Sequence, residues 1–108
     1  MTFDRAQYRL AVFDIDGTIF DRGIMLPEVG EAIRRLSESG VETVIATGRH
    51  PFNLPKQVNE IGTIRYVIGL NGGMVADILT REIFSIVTMD AQTARKTVGE
   101  MYRAPRLL

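Results

Sequence analysis

Leu10-Ala11-Val12-Phe13-Asp14-Ile15-Asp16-Gly17-Thr18 decides how this chain is read. Four apolar residues run into two carboxylates spaced i and i+2, and a glycine turn follows. A short apolar run bounded by Asp and Gly reads as a buried strand of an α/β sheet. Strand alternation puts residues i and i+2 on one side, so both acids are expected to face one site. Ligand sites in such sheets lie beyond the carboxyl ends of the strands, where these acids fall. The placement points to chemistry on a phosphate or a metal.

Outward from that stretch, the chain alternates strand and helix signals. Pro27 opens a helix whose Val29, Ala32, Ile33 and Leu36 follow the helical period, and Gly40 ends it. Val41–Ala46 reads as a second strand, rich in β-branched residues. Thr47-Gly48-Arg49 forms the next turn, and Pro51 is expected to start a helix that bends near Pro55 and stops at Gly62. Tyr66–Leu70 is a third strand, closed by Asn71-Gly72-Gly73. Short connections in a β-α-β-α-β series favour parallel strands with right-handed crossovers. Beyond Gly73 the pattern changes. Met74–Leu79 and Glu82–Thr88 flank Thr80-Arg81 as a hairpin, and Asp90 is placed to cap a last helix that Pro105 stops.

Composition narrows the class. With 108 residues the chain is one small domain, long enough to bury about two thirds of its unfolded surface. Thirteen basic and thirteen acidic residues cancel, so neither nucleic acid nor a membrane surface is expected as a partner. Cysteine is absent, which excludes disulfides, thiolate metal sites and a cysteine nucleophile. The amino terminus lacks a signal-peptide pattern, and no apolar run reaches membrane-spanning length. A cytoplasmic protein is expected.

If the three strands are parallel, their three turns meet at one edge of the sheet. Glycines let backbone amides approach an anion, and threonine hydroxyls add donors. Arg49 can offer a bidentate contact to an oxyanion. Asp14 is a candidate nucleophile, and Asp16 a candidate general acid and base. Mg²⁺ suits their hard oxygens. An EF-hand reading fails, because Gly17 comes fourth rather than sixth from Asp14 and no glutamate stands twelfth. His50, between Arg49 and Pro51, reads as a residue leading into a helix rather than as a base.

These residues resemble a known family. The strand ending in Asp14-Ile15-Asp16-Gly17-Thr18 is similar to the first signature of the haloacid dehalogenase (HAD) superfamily. Val44-Ile45-Ala46-Thr47-Gly48-Arg49 is similar to its second, and Asn71-Gly72-Gly73 to an element of its Cof-like sugar-phosphate phosphatase branch. The resemblance covers residues 8 to 104. It implies a Rossmann-like three-layer α/β/α core, here partial, with three parallel strands followed by the hairpin and helix that start a cap. Residues 1–73 are then the front half of the core and residues 74–108 a truncated cap segment. It also implies Asp14 as nucleophile, Asp16 as general acid/base, and Mg²⁺ held by the Asp14 carboxylate and the Asp16 main-chain carbonyl. The phosphate of a phosphorylated small molecule would be cradled by Thr47, Gly48, Arg49, Asn71 and Gly72.

The family's third and fourth signatures, a lysine and an acidic metal-binding turn, follow the cap and are not in this sequence. Lys56 and Lys96 lie in the wrong segments to replace that lysine, and Asp77 and Asp90 are poor substitutes for the acids. Three readings therefore stay open: a Mg²⁺-dependent phosphatase, a phosphate-binding or regulatory module without turnover, and the inactive product of a disrupted gene. The missing neighbour of the first strand leaves an exposed edge, so homo-oligomerisation is expected, with a dimer across that strand as its form.

Overall fold

The computed structural model describes residues 7–104. Its order is β1 (Leu10–Phe13), α1 (Pro27–Glu38), β2 (Glu42–Ala46), α2 (Lys56–Asn59), β3 (Tyr66–Gly69), β4 (Met74–Asp77), β5 (Ile83–Ile86) and α3 (Ala91–Arg103). The strands form one five-stranded sheet in sequential order. β1, β2 and β3 pair in parallel, with Val12 opposite Val44 and Ile45 opposite Val67. The α/β fold expected from the strand-helix alternation is present. The hairpin forms as well, and β4 extends the same sheet by pairing antiparallel to β3.

Both α1 and α2 cover one face of this sheet. Ile33 of α1 and Val58 of α2 pack with Ile15, Ile45 and Val67 in the core. α1 begins with Pro27 at its first turn, where the missing N–H costs nothing. The left-handed Gly40 follows its end. The opposite face carries Val12, Val44, Ile68 and Val75 by register. No described helix buries a side chain on it: α1 buries Gly30 and Ile33, α2 buries Val58, and α3 buries none. The chain thus provides one helix layer of the expected three-layer core.

One local expectation is corrected. Pro51 starts no helix, and α2 is a single turn after Pro55. The reason is tertiary. Pro51 is fully buried, and its ring occupies the space that a side chain on Gly69 would need. Residues 50–53 are folded into a turn, with Asn53 N–H donating to the His50 carbonyl and Phe52 N–H to His50 Nδ1. The capping reading of Asp90 holds: its carboxylate accepts from Thr93 N–H at 2.8 Å. The helix ends at Arg103, and Pro105 lies outside the described residues.

Candidate phosphate site at the strand ends

β1 stops at Phe13, so Asp14 is the first residue beyond it and Asp16 sits in the turn that follows. That turn is tightly wound. The Ile15 carbonyl accepts from the amides of Thr18, Ile19 and Phe20 at 3.0–3.1 Å, and Gly17 N–H donates to the Phe20 carbonyl. Ile15 is fully buried beneath it, while both acids are exposed. The Asp14 carboxylate accepts from Ile15 N–H at 2.9 Å, and the Thr18 hydroxyl stands 3.5 Å from its other oxygen.

The turns after β2 and β3 are laced together. Asn71 N–H donates to the Thr47 carbonyl, and Leu70 N–H to the Arg49 carbonyl, at 3.1 and 3.0 Å. Thr47 is itself pinned by its amide to Ile68, and its hydroxyl accepts from Arg49 N–H. Leu70, Asn71 and Gly72 are consecutive left-handed residues, with φ of 52°, 54° and 95°. For leucine that conformation is strained, and such strain persists only where surrounding bonds over-determine it. The two interloop hydrogen bonds do so here. They lay the Asn71 side chain against Gly48, whose Cα would otherwise bear a Cβ 3.1 Å from Asn71 Oδ1. Glycine at position 48 is what permits the approach.

A cavity of about 300 Å³ opens between these turns, lined by Asp14, Ala46, Thr47, Gly48, Ile68, Asn71 and Gly72. All three turns singled out in the sequence contribute to it. Ala46 and Ile68, its apolar walls, were not singled out, because a small and a branched apolar residue within strands carry no local signal of a site.

Asp16 and Arg49 behave differently. Instead of facing the cavity with Asp14, the Asp16 carboxylate accepts two hydrogen bonds from Arg49, Nε at 2.9 Å and Nη2 at 2.8 Å. The guanidinium also stands 5.8 Å from the centre of the Phe20 ring. Arg49's hydrogen bonds hold the Asp16 carboxyl below the usual carboxylate range. The bidentate capacity expected for an oxyanion is thus turned on an acid 33 residues away. Sequence spacing gave no sign of that pairing.

The Asp14 carboxylate and the Asp16 main-chain carbonyl are hard oxygen donors that fit Mg²⁺. That cation takes one or two carboxylates and completes its shell with water and phosphate oxygens, while the Asp16 carboxylate is engaged by Arg49. Among the described residues no group of three acidic or histidine side chains converges on a metal position. Asp77 is not a spare ligand. It is 1% exposed, bonded to Arg65 Nε at 2.6 Å and to the amides of Leu79 and Thr80 at the hairpin turn. No described helix is long and apolar enough to cross a membrane.

Comparison with known proteins bears on this geometry. Residues 11–104 match the haloacid dehalogenase-like hydrolases. Over 71 residues the chain is 37% identical to HMP-PP phosphatases of Yersinia pestis (strain Pestoides F) and Yersinia pseudotuberculosis (serotype O:1b, strain IP 31758). The match takes in 65% of this chain and 26% of each relative, so the chain spans about a quarter of their length. Among solved structures, a phosphatase of the haloalkanoate (HAD) superfamily from Bacteroides thetaiotaomicron superposes with a TM-score of 0.77 at 24% identity. It shares the fold over 89% of this chain and 35% of its own. A HAD subclass IIB sugar phosphatase superposes with a TM-score of 0.71 at 19% identity, over 88% of this chain and 37% of its own.

Proposed function

The chain belongs to the haloacid dehalogenase-like hydrolases, in their Cof-like branch, and we propose that its strand-end cavity binds the phosphate of a phosphorylated small molecule for hydrolysis through an aspartyl-phosphate on Asp14. One observation carries the reading: Asp14 shares a single cavity with Thr47, Gly48, Asn71 and Gly72, which come from three separate turns. A carboxylate beside hydroxyl and amide donors is the arrangement a nucleophile needs against a phosphorus centre.

In this reading an Asp14 oxygen forms a bond to phosphorus as the ester P–O bond breaks. Asp16 gives a proton to the departing oxygen, and later takes one from the water that opens the acyl phosphate. Thr47, the Gly48 amide, Asn71 and Gly72 hold the phosphoryl oxygens. An arriving phosphate competes with Asp16 for the Arg49 fork, since a planar carboxylate and a tetrahedral phosphate each offer a pair of oxygens suited to bidentate contact. That exchange frees Asp16 for proton transfer. Mg²⁺, held by the Asp14 carboxylate and the Asp16 main-chain carbonyl, would neutralise charge between nucleophile and phosphate. The substrate class follows the relatives, which act on HMP-PP or are sugar phosphatases. Residues 74–108 form the root of a cap, the cytoplasm is the compartment, and a second copy of the chain associates through an exposed strand edge.

A second reading has its own support. Asp16 is fully engaged by Arg49, and no lysine lines the cavity, which suits phosphate binding without turnover. An aryl phosphate assay with Mg²⁺, comparing the wild type with Asp14→Asn, separates the two. Turnover lost in Asp14→Asn supports hydrolysis. Phosphate binding with no turnover in either protein leaves the binding module.

A further inference from the structure

We propose that this chain keeps a phosphoryl group on Asp14 long after the leaving group has gone, and that Arg49 sets how long. This rests on the aspartyl-phosphate reading above and assigns its slow step. The two half-reactions make different demands on the side chains. In the first, an Asp14 oxygen bonds to phosphorus, and the ester oxygen leaves with its electron pair. A leaving group that departs as a stable anion needs no proton. In the second, a water oxygen bonds to phosphorus and the electron pair returns to the Asp14 carboxylate, so a proton of that water needs a base.

The geometry serves the first step. Asp14 lines the cavity. Its Oδ1 accepts from Ile15 N–H at 2.9 Å, while Oδ2 has the Thr18 hydroxyl at 3.5 Å. Oδ1 is therefore tied to its own turn and can stay there as the acyl carbonyl, and Oδ2 is the attacking oxygen. The second step is not served in the same way. Once Asp14 is acylated, Thr47 and Asn71 are the polar side chains left in the lining, with Ala46 and Ile68. None of them takes a proton from water. The nearest base in sequence is Asp16, and neither Asp16 nor Arg49 lines the cavity.

Arg49 keeps Asp16 away by position. Its Nε and Nη2 hold the two carboxylate oxygens at 2.9 and 2.8 Å. Exposed ion pairs are generally weak, but the two-bond fork is the geometry that lasts. Both partners stand on fixed turns. The Arg49 amide donates to the Thr47 hydroxyl, its carbonyl accepts from Leu70 N–H, and its guanidinium lies 5.8 Å from the Phe20 ring centre. Asp16 sits between Ile15, whose carbonyl accepts three amides, and Gly17, whose amide donates to Phe20. An arriving phosphate draws the fork off Asp16 as described above. With the phosphoryl group seated on Asp14, inside a cavity Arg49 does not line, the fork returns to Asp16. Arg49 is thus a positioning residue that acts through Asp16.

A nitrophenyl phosphate with Mg²⁺ tests this, read as nitrophenolate release and as phosphoprotein in acid-quenched mass spectra. The wild type is expected to release about one nitrophenolate per chain in a fast phase, then to turn over slowly with the phosphoryl group retained. Arg49→Met should shorten the phosphoprotein's lifetime about tenfold or more, part of the about 10²–10⁴-fold that a positioned base supplies. Arg49→Lys, which keeps the charge without the fork, should fall between. Asp16→Asn should match the wild type, and Arg49→Met combined with Asp16→Asn should regain the long lifetime, which a general loosening of the turn would not do. Steady release without a fast phase or phosphoprotein, abolished by Asp14→Asn, keeps hydrolysis and overturns the slow second step. A lifetime unchanged in Arg49→Met, or sharply lengthened in Asp16→Asn, overturns the part given to Arg49. Neither release nor phosphoprotein in any variant overturns the nucleophile reading itself.

Discussion

Asp77 shows how one residue can be excluded from a site by what it does elsewhere. It is a carboxylate within the candidate cap, yet it is buried at the hairpin turn and fully bonded. Burial by itself would raise its pKa. The Thr80 amide, Arg65 and the Leu79 amide outweigh burial and hold the carboxyl below the usual range. A folded-state pKa below the unfolded value near 3.9 means stability that is present above that pH. It is lost as pH falls through the lower, folded value. Acid titration of the wild type should therefore show a loss of stability below about pH 4 that Asp77→Asn lacks, the variant melting several degrees lower at pH 7. Equal acid sensitivity in the two proteins would place the effect elsewhere. Gly69 carries a different constraint, since any side chain there would meet the Pro51 ring and stand 2.8 Å from the Arg49 carbonyl. That close approach keeps the Arg49 turn beside β3.

At the scale of elements, β2 is the centre of the parallel part of the sheet, and its fit is imperfect in one place. Thr43 is fully buried, and its hydroxyl finds no partner among the described residues. A buried hydroxyl without a hydrogen bond costs about 1–3 kcal/mol, and valine has nearly the same shape. Thr43→Val is expected to raise stability by about 1 kcal/mol in urea unfolding, and a loss of stability would reveal a hidden partner. α3 poses the opposite case, a well-capped helix that buries nothing. Without packing, a helix of this length depends on local terms. Asp90→Ala should lower helical ellipticity while the sheet's melting midpoint stays where it is. A midpoint that falls with the ellipticity would show that α3 is part of the cooperative unit. The short α2 has a tertiary cause, because burial of Pro51 takes up the residues that would have begun a longer helix.

The whole molecule is elongated. Its radius of gyration is 17.4 Å and its extents are 53 × 32 × 28 Å, against about 13 Å expected for a compact chain of this length. Helices cover one face of the sheet only, and α3 buries no side chain. With only one helix layer to hold the sheet, stability should respond visibly to any ligand that ties the three turns together. Inorganic phosphate at ten times its dissociation constant is expected to add about 1.4 kcal/mol, seen as a rise in the melting midpoint. No rise at any soluble concentration would count against the phosphate cradle.

Sequence alone determined the strand-helix order, the three polar turns and the family, because these rest on local periodicity and on residue types at fixed spacing. Apolar runs, Pro27, Gly40 and the cap at Asp90 each act within a few residues of themselves. Tertiary structure decided what those residues do to one another. It turned Arg49 onto Asp16 across 33 positions, seated Asn71 on Gly48, buried Asp77 and left the edge of β5 free. Each of these depends on which surfaces meet once the sheet has formed. Asp14 and Asp16, alike in the sequence and expected to face one site, are separated in role for that reason: one opens into the cavity, and the other is held by a guanidinium that only folding brings near.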